Sequence, residues 1–271
     1  MYRRMGGARA AIAPAHGRGP LPPERPASGA PLVNVQESAA RYAFAGVETD
    51  GLRVLDVASG AGLGSEFLLA GGAAVVVGVE SAAQALRESI QSGPIRPCFV
   101  RADALALPFV DASFDAVVSF ETIEHLTDAR GLLRECRRVL RRGGALYLST
   151  PNRTVSRWLP PNPFHVREFT AAELRALVRE HFATVTPFGQ RPVFLPFFAL
   201  RQTARRWVDA MPGGGGLWWL WSLMRPRRTQ LAATAWHGRR FDRSLLDDRY
   251  AVRAAPRSIW EQPMYTVLVA R

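Results

Sequence analysis

Val54-Leu55-Asp56-Val57-Ala58-Ser59-Gly60-Ala61-Gly62-Leu63-Gly64-Ser65 reads as a short apolar strand ending in an acid, then a glycine-rich turn, then the start of a helix. Glycines at alternate positions let the backbone turn tightly and come close to a ligand. A helix that starts there points unsatisfied N–H groups at that ligand. Nucleotide-like cofactors sit this way at the carboxyl ends of parallel strands. The same residues also suit a strand-to-helix turn with no ligand, because glycine is the usual residue of such turns. Gly60-x-Gly62-x-Gly64 departs from the dinucleotide fingerprint, which places its third small residue where Ser65 stands. Asp56 contributes a sign: a carboxylate at the strand end repels a pyrophosphate and suits a cationic ligand.

Strands and helices alternate on both sides of this turn. Val33–Ala45 reads as a lead-in helix that brings Arg41, Tyr42 and Phe44 near the mouth. Arg53–Val57 is the first strand and Ser65–Ala70 the first helix after it. Ala74–Val79, a continuous apolar run covered on both faces, ends at Glu80. Cys98–Arg101 leads into Ala102-Asp103-Ala104, and Phe114–Phe120 is a fourth strand. Leu132, Leu133, Cys136, Val139 and Leu140 follow helical spacing, with Gly143-Gly144 closing that helix before a strand over Ala145–Ser149. Thr170-Ala171-Ala172-Glu173 is a capping box for a helix through Leu174, Leu177 and Val178. Ala183–Phe188 and Tyr265–Ala270 supply two more strands. The pattern is α/β with a mostly parallel sheet and helices on both faces.

Acids fall at three successive strand ends. Glu80, 24 residues after Asp56, stands where a carboxylate accepts hydrogen bonds from both ribose hydroxyls of a cofactor. Asp103 stands where a carboxylate accepts from an exocyclic adenine amine. Singly, Glu80 also reads as an acid favoured by a helix dipole and Asp103 as a turn residue.

These residues resemble class I S-adenosylmethionine-dependent methyltransferases, in particular the subgroup that includes ubiquinone-biosynthesis and sugar O-methyltransferases. The resemblance covers about residues 53–190 and the last strand. It rests on Val54–Gly62, Gly78-Val79-Glu80, Ala102-Asp103-Ala104 with Leu107-Pro108-Phe109, Ser113–Ser119 and Val139-Leu140-Arg141-Arg142-Gly143-Gly144. Ala58 replaces the first family glycine, and Arg142 replaces a proline. The resemblance implies a seven-stranded Rossmann-like sheet whose last strand is antiparallel, and S-adenosylmethionine as cofactor. It implies that Asp56, Ala58, Gly60 and Gly62 hold the methionine end and that Glu80 binds ribose. Asp103 and Ala104 would flank adenine, and Phe120 and Glu121 would close the site beside the sulfonium. An NAD-dependent oxidoreductase fits less well, because Asp56 would face the pyrophosphate. A fold that binds the cofactor without turnover is the non-enzymatic alternative.

A sugar or phenol hydroxyl must be positioned and deprotonated before it attacks a methyl group. Glu121-Thr122-Ile123-Glu124-His125, just past the fourth strand, carries the candidates. On a helix, residues 121, 124 and 125 would share a face. Two roles stay open: His125 as general base, or Glu121, Glu124 and His125 as ligands of Mg²⁺, the latter a pattern associated with metal dependence in the ubiquinone-type enzymes. A solvated helix start is the plain alternative. After the fifth strand, Asn152 is a candidate for binding an acceptor hydroxyl. His165, in Asn162-Pro163-Phe164-His165-Val166-Arg167-Glu168-Phe169-Thr170, is a candidate for reaching the acceptor or a metal, or for fixing its loop. That run resembles a signature of bacterial methyltransferases associated with surface-glycan biosynthesis. The expected acceptor is a sugar or glycan hydroxyl, with a quinone or other phenol as the alternative.

The formal net charge of +12 would ordinarily direct attention to nucleic acid or membrane. The chain has no lysine, however, and its wealth of Ala, Gly, Pro and Arg reads as a coding bias. No aromatic and basic alternation resembles a nucleic-acid platform, so no nucleic-acid partner is expected. Cys98 and Cys136 have no metal or redox spacing, which fits a reduced cytoplasmic compartment. Residues 1–31, rich in Pro, Gly, Ala and Arg, are expected to be disordered. By the resemblance, residues 32–271 are expected to form the methyltransferase domain. Within it, residues 191–257 are an insertion with thirteen Arg, four Asp and no Glu. Its apolar stretches, Val193–Leu200 and Leu217–Met224, suit either a substrate cap or a peripheral membrane contact through residues 193–228, aromatics in the headgroup region and arginines on anionic lipid.

Overall fold

The computed structural model describes residues 32–90, 97–210, 246–256 and 258–271. The segment expected to be disordered and the tryptophan-rich stretch Leu217–Met224 lie outside the described residues. Strands β1 (Arg53–Val57), β2 (Val75–Glu80), β3 (Cys98–Arg101), β4 (Phe114–Phe120), β5 (Leu140–Pro151), β6 (Val185–Phe194), β7 (Val252–Ala254) and β8 (Glu261–Ala270) form one sheet in the order β3-β2-β1-β4-β5-β8-β6-β7. The pairs from β3 to β5 are parallel; β8 runs antiparallel to β5 and β6. The seven expected strands are all present. The eighth, β7, is a three-residue edge strand that the insertion adds beside β6.

Successive side chains of a strand point to opposite faces, and the sheet's two cores follow from that alternation. Leu55, Val117, Leu146 and Leu148 turn to one face, where helices α4 (Ala129–Val139) and α6 (Ala171–Arg179) bring Leu132, Leu133, Leu174 and Val178. Val54, Ala116, Val118 and Tyr147 turn to the other, against α1 (Leu32–Gly46) and α2 (Leu63–Ala70) through Tyr42, Phe67 and Leu68. The remaining helices are α3 (Ala83–Ile90), the single turn α5 (Arg153–Ser156) and α7 (Leu195–Ala210). The capping box on α6 is formed reciprocally by Thr170 and Glu173.

Two boundaries differ from the sequence reading. Helix α4 stops at Val139, because Leu140 already pairs with Phe114; Gly143, at φ 80°, bends the chain where the β4–β5 register shifts. Strands β6 and β8 extend the sheet to Phe194 and Glu261, so what was read as the start of the insertion is partly sheet. α7 then begins without a break.

Strands leave β1 toward β2 and toward β4 in opposite directions, which opens a crevice at their carboxyl ends. α1 closes one side of it. Its Tyr42 ring lies flat on Gly64, where a Cβ would come within 1.9 Å of Tyr42 Cζ. We predict that Gly64→Ala pushes Tyr42 and α1 off the loop and destabilises the protein by about 1–3 kcal/mol. The check is a shift in urea midpoint; an unchanged midpoint would contradict this packing.

Candidate cofactor and acceptor site

The loop after β1 is held from beneath. Asp56 is fully buried, with Tyr42 donating to Oδ1 at 3.0 Å and Ser65 donating to Oδ2 at 2.6 Å. One carboxylate thereby joins α1 and α2 to the glycine turn. Burial, the largest influence, outweighs both donors and raises the carboxyl pKa to about 7. Above that carboxylate Gly60 and Gly62 adopt left-handed backbone, at φ 57° and 83°, and so does Ala58 at φ 60°. A side chain in that conformation carries strain, so glycine would suit the position where Ala58 stands.

Glu80, at the end of β2, faces this loop. Its Oε2 accepts from the Gly60 N–H at 3.0 Å and its Oε1 from the Ala82 N–H at 2.8 Å. The Ser81 hydroxyl also donates to Oε1, at 3.4 Å, so of about four acceptor positions on the carboxylate one on Oε2 is left for a ribose hydroxyl. Asp103 is exposed; its Oδ1 accepts from the Leu105 N–H at 2.9 Å, so it holds its own turn, and Ala104 packs partly buried beside the core. Phe120 is buried, edge-on to Tyr42 with ring centroids 5.0 Å apart.

Glu121 breaks the strand. It takes φ 53°, its N–H donates to the Ser149 carbonyl and its Oε1 accepts from the Ser149 hydroxyl at 2.7 Å. Only a 3₁₀ turn follows, Ile123–His125. Glu121 therefore lies off the helical face assumed from its spacing. The metal set read from the sequence, Glu121, Glu124 and His125, is corrected accordingly: Glu124, His125 and His165 offer ligand atoms all within 4.8 Å of one another, and Glu121 stands outside this group.

The loop carrying His165 is brought there by backbone hydrogen bonds. The Val166 and Arg167 N–H groups both donate to the Glu124 carbonyl, at 2.8 and 3.1 Å. His125 Nδ1 meets the Phe164 carbonyl at 3.0 Å; with the proton on Nδ1, Nε2 carries the lone pair. His165 Nδ1 meets Glu168 Oε1 at 2.7 Å and its Nε2 meets Asn162 Nδ2 at 2.9 Å. The two imidazoles stand edge to face, centroids 5.0 Å apart.

Glu124 is fully buried. Thr150 donates to Oε2 at 2.9 Å, whereas Oε1 has no hydrogen-bond partner among the described residues. Burial, then the neighbouring Glu121, raises its pKa well above the ordinary glutamate value. An orphaned carboxylate oxygen beside two imidazoles, each braced at Nδ1 by an acceptor, fits a divalent cation once His165 Nε2 gives up the Asn162 amide that it now meets. A set of two histidines and one carboxylate suits Zn²⁺, Fe²⁺ or Mn²⁺ better than Mg²⁺, which prefers all-oxygen surroundings.

Asn152 requires a second correction. It is fully buried, its Oδ1 accepts from the Thr154 N–H at 3.1 Å and its Nδ2 donates to the Pro263 carbonyl at 3.0 Å. It caps α5 and ties that helix to β8, so its amide is not directed at an acceptor. The preference of asparagine for helix N-caps is the signal that identifies this role.

Arg41 carries a larger part than the sequence suggested. It is buried, donates from Nη1 to Gln190 Oε1 at 2.6 Å, and lies 4.7 Å from the Tyr265 ring centroid. Gln190 is itself fixed by the Glu37 and Tyr250 carbonyls. Arg41 Nε has no hydrogen-bond partner among the described residues. A buried guanidinium thus faces the same mouth as Glu121 and Glu124.

The methyltransferase-domain family model matches residues 55–148, from β1 through β5. A Mycobacterium tuberculosis protein named "Probable S-adenosylmethionine-dependent methyltransferase" is 42% identical over 128 residues, covering 46% of either chain. A Xanthomonas axonopodis protein named ubiquinone biosynthesis O-methyltransferase is 34% identical over 166 residues, covering 55% of this chain and 70% of that one. This chain spans about half the length of the mycobacterial relatives it matches. Among solved structures, a SAM-dependent methyltransferase from Thermotoga maritima superposes with a TM-score of 0.55 at 16% identity, over 88% of either chain, a likeness of fold.

Asp56 links this site to stability. Its folded pKa of about 7 lies above the usual carboxylate value, so the folded protein binds the extra proton between about pH 4 and 7. We predict that stability of the cofactor-free protein falls as pH rises through that range, and that Asp56→Asn flattens this part of the curve. Denaturant midpoints measured across the range check it; an unchanged slope in the variant would contradict the assignment.

Proposed function

The chain belongs to the family of S-adenosylmethionine-dependent methyltransferases, and from that premise we propose that it methylates a hydroxyl of a sugar or glycan. The observation that carries this reading is one edge of one sheet holding both a glycine loop faced by Glu80 and, beside it, the Glu124, His125 and His165 group. When bound, S-adenosylmethionine supplies a methyl carbon already activated by sulfonium, which the acceptor oxygen attacks in line. The Gly60–Gly62 backbone and Glu80 orient the cofactor, and Arg41 offers its buried charge to the methionine carboxylate. His125 Nε2 accepts the hydroxyl proton as the new C–O bond forms and the methyl–sulfur bond breaks, its electron pair leaving with the thioether product. His165 orients the acceptor.

A phenolic acceptor is the second reading, favoured by the name of the Xanthomonas relative. The cleft beside His165 speaks for the first: its walls carry several arginines, which suit a hydrated acceptor better than a quinone ring. A divalent cation held by Glu124, His125 and His165 is the alternative to a free base, supported by the unpartnered Glu124 Oε1; such an ion would lower the acceptor's pKa.

Glu80→Ala is expected to weaken S-adenosylhomocysteine binding roughly ten- to a hundredfold, by the loss of charge-assisted hydrogen bonds. His125→Ala is expected to lower kcat by about 10²–10⁴ and leave that binding nearly intact. Turnover that survives EDTA assigns His125 as base; turnover abolished by EDTA and restored by Mn²⁺ or Zn²⁺ assigns the metal. Equal loss of cofactor binding in the two variants would contradict separate roles.

A further inference from the structure

The cleft next to His165 has a volume of about 480 Å³ and an uneven charge. Arg153, Arg157, Arg167 and Arg206 line it, against a single carboxylate, Glu168. Glu168 is committed already, accepting from the Ser156 hydroxyl and facing His165 Nδ1. Arg153 is paired with Glu173 at 2.7 Å. The other three have no carboxylate partner among the described residues. Arg157 lies over the Trp158 ring at 5.2 Å and Arg167 over the Phe169 ring at 4.8 Å, so each guanidinium is braced on an aromatic face with hydrogen-bond donors to spare. Arg206, from α7, reaches the Trp158 and Leu159 carbonyls across the cleft at 3.4 and 3.5 Å.

Three guanidiniums with no carboxylate partner among the described residues line one concave wall, and a multiply charged anion would supply the balancing charge. The wall is also joined to the candidate chemistry. Arg167 is one of the two residues whose N–H groups hold the Glu124 carbonyl, and Tyr265, also in the lining, carries Arg41 on its ring. We propose that this cleft recognises a phosphoryl group borne by the acceptor, most simply a diphosphate, through Arg157, Arg167 and Arg206, while the acceptor hydroxyl reaches His125. The inference rests on the methyltransferase reading and narrows it to phosphorylated acceptors.

A diphosphate of this kind occurs on soluble nucleotide-linked sugars and on lipid-linked ones. α7 is compatible with the second source: Arg206 lines the cleft, while Phe197, Leu200 and Trp207 are 65%, 68% and 67% exposed. The membrane contact expected through residues 193–228 would use this face, and the part of that segment beyond α7 lies outside the described residues.

The test is calorimetric titration of the full chain with inorganic pyrophosphate, with and without saturating S-adenosylhomocysteine. Wild type is compared with an Arg157→Gln/Arg167→Gln double variant and with Arg142→Gln, an exposed arginine at the start of β5. Saturable pyrophosphate binding by wild type and Arg142→Gln is expected, with a loss of roughly a hundredfold in the double variant, about tenfold per charge-assisted contact. Equal affinity in the double variant, an equal loss in Arg142→Gln, or no binding by wild type overturns the proposal. Because S-adenosylhomocysteine binding is read in the same titrations, its failure would sink the methyltransferase reading separately. Competition by UDP-glucose assigns a soluble source. Competition by phosphatidylglycerol but not phosphatidylcholine vesicles, lost in Phe197→Ser/Trp207→Ser, assigns a lipid-borne one.

Discussion

The Asp56 carboxylate, buried under the glycine loop and clasped by Tyr42 and Ser65, is the constraint on which the site depends. It is a polar group in the interior, and burial alone would be costly without partners. Its two donors come from helices on either side of the loop, so satisfying the carboxylate fixes α1 and α2 together. Tyr42 can reach it only because Gly64 presents no side chain. Sequence, packing and site geometry thus meet in a few atoms: remove the donor, the acceptor or the space, and the loop loses its floor.

Two of the four non-glycine residues in left-handed backbone among the described residues stand at the site, the other two being Ala112 and Arg191. Ala58 at φ 60° and Glu121 at φ 53° are non-glycine residues in left-handed backbone, one in the glycine loop and one at the end of β4. Each costs of order 1 kcal/mol or more and persists because its neighbours fix it. At Glu121 the fixing contacts are visible, two hydrogen bonds to Ser149. The kink there turns the chain out of β4 and directs Glu124 inward and His125 toward Phe164. Loop 164–167 then docks on the Glu124 carbonyl and delivers His165.

The strands and the acids at their ends were legible in the chain because both are local signals: apolar runs of the right length, and a carboxylate where each run stops. The two-sided core followed from alternation within those runs, and the capping box on α6 from four adjacent residues. What was not legible depended on distant pairing. Leu140 reads as the tail of a helix until Phe114 is known to lie beside it. Glu121 reads as the first of a helical triplet until its φ is known. His165 is forty residues from His125, and hydrogen bonds from loop N–H groups, which carry no side-chain signature, bring the two together. Asn152 was a local signal read for the wrong purpose, a helix cap taken for a ligand. Arg41 could have been found from Glu37, four residues earlier: an acid and a base on one face of an otherwise uncharged helix point to a buried polar network.

The central claim is that the loop between β1 and α2, with Glu80 facing it, receives a cationic adenosyl cofactor and not a pyrophosphate. Isothermal titration of the full chain with S-adenosylhomocysteine and, in parallel, with NAD tests it most directly. Saturable binding of S-adenosylhomocysteine that excess NAD does not displace is the predicted result. Binding of NAD in its place, or of neither, would contradict the reading of Asp56–Gly64 and the chemistry built on it.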